Sequence, residues 1–120
     1  MAEPRRPPSI DAWGGGGFRV SGEWRPGSLL IIDDQPRSWS ATSLAVLTPA
    51  DFADVFVAGG AVEFVLLGGG LVNALPPRDV RDALKAGGIG LEFMSTEAAA
   101  RTYNVLASEG RRLAAALIAV

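Results

Sequence analysis

Glycine clusters constrain this chain more than any other feature. They stand at Gly14–Gly17, Gly59–Gly60, Gly68–Gly70 and Gly87–Gly88 and cut the sequence into pieces the length of single helices and strands. Glycine interrupts regular structure and supplies tight turns, so the chain is predicted to fold as short elements joined by sharp corners. Between the clusters lies Val62-Glu63-Phe64-Val65-Leu66-Leu67, a nearly continuous apolar run of strand length. Such a run suits a central strand covered on both faces.

The pieces read in order. Phe18 to Trp39 alternates and turns like β-structure. Phe18-Arg19-Val20 is a short strand, Arg25-Pro26-Gly27 interrupts, Ser28–Ile32 is a stronger strand, and Asp33-Asp34-Gln35-Pro36 turns the chain back through Arg37 to Ser40. Asp favours turns and Pro cannot extend a central ladder. From Thr48 the period changes. Thr48-Pro49-Ala50-Asp51 opens a helix with an N-cap, a proline at the first helical position and an acidic residue three on. Phe52, Val55 and Phe56 form its apolar face. Pro76-Pro77 opens a second helix with Val80, Ala83 and Leu84 facing inward, Leu91–Met94 is a second core strand, and Ser95 or Thr96 caps a third helix to about Ser108. Arg112–Val120 reads either as more of that helix, being alanine-rich, or as a closing strand. Gly110 and the terminal Leu117-Ile118-Ala119-Val120 favour the strand. Alternation of strands and helices after the hairpin region implies two βα units and an α/β fold.

Composition removes whole classes of function. The 120 residues include no Cys and no His, so disulfides, thiolate or imidazole catalysis and nearly every zinc site are excluded, and no metal or cofactor is expected. With 11 Lys and Arg against 13 Asp and Glu, the formal charge of −2 offers no basic face for nucleic acid. The longest apolar run, Leu113–Val120, is far below the roughly 20 residues of a spanning helix. Residues 1–8, with Arg5 and Arg6 among three prolines, read as a disordered tail without a signal-peptide core, leaving residues 9–120 as one domain and the cytoplasm as the expected compartment.

Few residues gather into candidate sites. Gly68-Gly69-Gly70 follows a buried strand as a phosphate cradle would, yet the next helix opens only near Pro76 and no G-x-G-x-x-G or Gly-Lys-Ser/Thr accompanies it, so it reads as a flexible turn leaving the strand. Asp33-Asp34 and Asp51/Asp54 are close carboxylate pairs that read as solvated groups, and Lys85 complements a helix end. On the third helix Glu97, Arg101, Asn104 and Ser108 form one polar stripe, with Tyr103 on its flank. It is either a solvated outer face or a recognition surface, since Arg and Tyr anchor interfaces. Glu92, between Leu91 and Phe93, is predicted to be partly covered and paired with Arg101 or Arg111.

The run Gly88-Ile89-Gly90-Leu91-Glu92-Phe93-Met94-Ser95-Thr96-Glu97, continuing through Arg101-Thr102-Tyr103-Asn104-Val105-Leu106, resembles a family of small MTH-type domains of unknown function that includes the mitochondrial respiratory complex I assembly factor three. Gly16–Gly22, Gly27–Leu30 and Leu75-Pro76-Pro77 carry the likeness over nearly the whole chain from Pro8. The resemblance implies a single three-layer α/β domain around a mixed sheet, closed by a C-terminal antiparallel strand. It also implies a non-catalytic binding or assembly module whose partner is another protein, acting in the biogenesis of a membrane complex, with room for peripheral membrane association. The expected recognition surface is Arg101, Tyr103, Asn104, Thr96 and Glu97 together with Gly68, Gly69 and Gly70. The alternative is a small-molecule or anion-binding domain, or an enzyme, that uses the loops after the parallel strands, Gly68–Gly70 and Met94–Thr96.

Overall fold

In the computed structural model, which describes residues 5–120, the glycine-rich first third is an antiparallel meander of β1 (Ile10–Gly14), β2 (Gly17–Val20) and β3 (Glu23–Pro26). Gly14–Gly17 is its first turn, with φ of +120°, +64° and +83° at Gly14, Gly15 and Gly16. At Gly17 the need is space, because a Cβ there would meet the Trp24 ring at 2.8 Å. β1 and β3 have too little branched apolar sequence to be read as strands from the sequence, and it is the turns on either side of β2 that bring each of them into register with it.

The main sheet begins with β4 (Ser28–Ile32) and β5 (Gln35–Trp39), an antiparallel hairpin whose turn residues Asp33 and Asp34 have φ of +52° and +61°. The first helix follows: a 3₁₀ turn, Pro49–Phe52, runs into α1 (Ala53–Ala58), and the Asp51 carboxylate accepts the Thr48 N–H at 2.8 Å as the capping pattern requires. β6 (Phe64–Gly68), α2 (Arg78–Ala86), β7 (Gly90–Met94), α3 (Thr96–Ser108) and β8 (Leu113–Leu117) complete the chain.

Strand order in the main sheet is β5-β4-β8-β6-β7. The closing strand thus lies at the centre, antiparallel to β4 and parallel to β6. Alternation then sorts the core. Leu30, Ile32, Val65, Leu67, Ala114 and Ala116 face α1 and α2 through Phe52, Val55, Val80 and Leu84. Leu29, Ile31, Leu66, Ala115 and Leu117 face α3 and the small sheet through Ala99, Ala100, Tyr103, Ile10 and Phe18. This is the expected α/β domain with its mixed sheet, two βα units and N-terminal hairpin region.

Two expectations are corrected. β7 is an edge strand, not a core strand, and Glu92 is exposed on it without an ion pair among the described residues. Its supposed partners are engaged elsewhere, Arg101 with Glu97 at 3.0 Å and Arg111 with Glu63 at 3.2 Å. Tyr103 is not on a flank but 1 % exposed, because α3 turns that side onto β6 and the small sheet. As for the tail, residues 1–4 lie outside the described residues, while Arg5 donates to both oxygens of Asp34 at 2.8 and 3.0 Å and to the carbonyl of Gly110 at 2.9 Å.

Candidate functional site

β6 and β7 run parallel, and their following helices pack on opposite faces of the sheet. That arrangement opens a ligand crevice at the strands' carboxyl ends in many α/β folds. Here the crevice is stitched shut. The Gly69 N–H donates to the Met94 carbonyl at 2.9 Å and the Thr96 N–H to the Gly70 carbonyl at 2.8 Å. The Thr96 hydroxyl, fully buried, donates to the Ile118 carbonyl at 2.7 Å and accepts the Gly70 N–H at 3.0 Å. Gly68–Gly70 and Met94–Thr96 are therefore brought together as the alternative reading requires. Yet the amides of Gly69, Gly70 and Thr96 are already spent on the protein, and the Ser95 hydroxyl accepts the Ala98 N–H at 3.2 Å. An anion would have to displace these bonds. Gly68 is tight for a packing reason: a Cβ would lie 2.8 Å from Leu117 and 2.9 Å from the Thr96 Cα.

The open space lies beside this junction. A groove of about 700 Å³ runs between Thr42–Ala45, the loop from Gly69 to Pro77, and Ile118–Val120. Among the described residues no charged side chain lines it. Leu71, Val72 and Leu75 on its loop are 86, 70 and 61 % exposed, and Leu44 packs over Gly69. Contiguous exposed aliphatic side chains of this kind mark interaction surfaces. A smaller hollow of about 200 Å³ adjoins it across Gly70 and Leu71, lined also by Trp13 and Glu97. The Arg101 guanidinium lies 5.4 Å from the Trp13 ring centre and binds Glu97.

The expected recognition residues thus divide. Glu97 and Arg101 are exposed beside the hollow, and Gly69 and Gly70 border the groove, whereas Thr96, Tyr103 and Gly68 are enclosed and serve packing. Asn104 is a clasp: its Oδ1 accepts the Ile10 N–H and its Nδ2 donates to the Ile10 carbonyl, both at 2.8 Å, tying α3 to β1. Leu44, Leu71, Val72, Leu75 and Trp13 were missed. The signal was available in one respect, since the Gly69–Pro77 connection exceeds the usual length of about 2–6 residues for a βα loop and carries aliphatics where loops are polar.

Among the described residues the electrostatics assemble no acid–base pair in either hollow. Burial, reinforced by Asp34, pushes the Tyr103 phenol well above its ordinary range, and its hydroxyl has no partner among the described residues, but the group is enclosed. Glu63 is held below the usual carboxylate range by the Arg112 N–H and then Arg111, and Asp11 by the Ser9 hydroxyl and then the Gly22 N–H. Both are exposed turn-stabilising groups away from the groove.

Comparison with known proteins identifies the family and the fold. Residues 10–118 match the family described as protein of unknown function (DUF498/DUF598). The chain is 39 % identical over 109 residues to an uncharacterized protein of Rhodobacter capsulatus, covering 91 % of this chain and 82 % of that protein. It is 31 % identical over 110 residues to NADH dehydrogenase (ubiquinone) 1 alpha subcomplex assembly factor 3 of Bos taurus, again over 91 % of this chain but spanning 59 % of that protein's length. A crystal structure described as an outer membrane protein from Bartonella henselae superposes with a TM-score of 0.87 at 36 % identity, covering 95 % of this chain and 96 % of that one. The resemblance carried by the Gly88–Leu106 block is borne out, down to the assembly factor and the Mth938-like domain. This chain belongs to the DUF498/DUF598 family.

Proposed function

We propose that this chain is a non-catalytic docking module that holds an apolar segment of another protein in the groove beside Gly69, and that it assists the assembly of a membrane protein complex. The carrying observation is the cluster of exposed Leu71, Val72 and Leu75 around a groove lined, among the described residues, by no charged side chain. Likeness to assembly factor 3 supports the assembly role, although the chain spans only 59 % of that protein. No helix among the described residues is long and apolar enough to cross a membrane. In this reading the module works in the cytoplasm and meets the complex at the membrane surface.

A photo-crosslinking residue placed at Leu71 in the native cells tests this. Cross-links to a subunit of a membrane complex are expected, and they should vanish in a Leu71→Ser, Val72→Ser variant whose stability changes by less than about 0.5 kcal/mol, as befits exposed positions. Absence of any protein cross-link, with a saturable thermal shift on adding nucleotides or anionic metabolites, would return the site to the small-molecule reading.

A further inference from the structure

The two edges of the main sheet are unequal. β5 carries Pro36, which has no N–H to offer, and Arg37, which pairs with Asp54 at 3.6 Å. Proline and charge are the usual protections of an edge. β7 has neither proline nor bulge. The Gly90 N–H donates to Glu63 and the Met94 carbonyl accepts from Gly69, so Gly90, Glu92 and Met94 turn their backbone groups toward β6. Alternation turns those of Leu91 and Phe93 outward, and no loop or side chain among the described residues hydrogen-bonds to them. Their side chains are half-buried against the α2 side of the core. Glu92, with Met94, lies on the α3 side, where Thr102 contacts Met94 and Val105, one turn on, is 58 % exposed.

We propose that the free edge of β7 takes an extended segment of a partner protein as an added strand, with a Lys or Arg opposite Glu92 and apolar side chains beside Leu91 and Phe93. Backbone pairing would supply affinity and the alternating side chains specificity, as in other strand-addition complexes. Charge selects the occupant. Two copies of this chain paired antiparallel over the full strand would set Glu92 against Glu92, and like charges directly opposite destabilise a ladder. A basic residue in the same place is favoured. This surface is distinct from the groove, so the inference stands whether or not the groove docks a partner.

The test uses two synthetic probes, acetyl-Thr-Val-Lys-Val-Thr-amide and the same peptide with Glu for Lys, with amide exchange followed by NMR on the full chain. The lysine peptide should slow exchange at Leu91 and Phe93 and bind at least about threefold more tightly than the glutamate peptide. Glu92→Lys, at an exposed position, should reverse that order, and Leu71→Ser with Val72→Ser should leave it intact. The proposal is overturned if Leu91 and Phe93 are not slowed, if Glu92→Lys leaves the order unchanged, or if slowing is confined to the 71–75 loop. It is equally overturned if the protein alone protects these amides as its concentration rises, which would make the occupant a second copy.

Discussion

Arg101 and Asn104 stand three residues apart on α3 and have opposite fates. Arg101 is exposed, and its bonds are an i,i+4 pair with Glu97 and a contact with the Trp13 ring. Asn104 is half-buried and satisfies both backbone groups of Ile10, the first residue of β1. Removing its amide strands a donor and an acceptor against the protein interior. Asn104→Ala should therefore cost about 1–3 kcal/mol, while Arg101→Ala should cost no more than about 1 kcal/mol. Urea unfolding of the two variants decides it, and equal losses would mean that the clasp adds nothing beyond surface contacts. Both residues were legible as a stripe at helical spacing. Which of them meets another element was not, because the partner of Asn104 is 94 residues away in the chain.

At the scale of elements, the junction of β6, β7, α3 and β8 is held by close approach. Gly68 sits opposite Met94 on one side and Leu117 on the other, with the α3 backbone above it. A methyl group has no space there, since both Leu117 and the Thr96 Cα would lie inside 3.0 Å. Gly68→Ala is expected to destabilise by about 1–3 kcal/mol through forced repacking. A chemical-denaturation midpoint at the wild-type value would show that α3 can shift freely. The sequence marks this triplet as special but reads it as a flexible corner, and close packing against Leu117 and α3 is what the structure adds. The same junction explains the missed edge. Leu91–Met94 has a core strand's composition, yet sheet order leaves one side of it open. Composition reports how apolar a strand is, whereas exposure depends on which strand inserts beside it, and β8 inserted on the far side of β6.

For the whole molecule, Tyr103 links pH to stability, and it is the one tyrosine of the chain. Burial and then Asp34 raise its phenol above the ordinary value of 10.0, with Arg5 opposing. The folded state therefore keeps the proton longer than the unfolded chain does. The sign follows: this contribution to stability is complete below about pH 10, and is lost progressively as pH rises and the unfolded phenol ionises. The melting temperature should fall more steeply above pH 10 in the wild type than in Tyr103→Phe, and tyrosinate absorbance should rise together with unfolding. Parallel curves for the two proteins, or tyrosinate formation in the folded state, would place the phenol in contact with solvent.

The sequence alone determined the hairpin region, the helix starts at Thr48, Pro76 and Ser95 and the α/β class, because these rest on local geometry: glycine corners, proline at helix openings and the period of apolar residues. The family was legible separately, from the residues of the Gly88–Leu106 block themselves. Only the tertiary structure decided that Leu113–Leu117 is the central strand, that Tyr103 is enclosed, that Glu92 is exposed and that Leu71, Val72 and Leu75 surround an open groove. The alanines of β8 show why. Ala114, Ala115 and Ala116 would serve a helix as well as a strand by propensity. Their small side chains were settled by layer packing, which lets Ala99 and Ala100 of α3 approach one face of β8 while Phe52, Val55 and Leu84 fill the other. Burial on two faces is a property of neighbours brought from distant parts of the chain, and no local pattern within β8 encodes it.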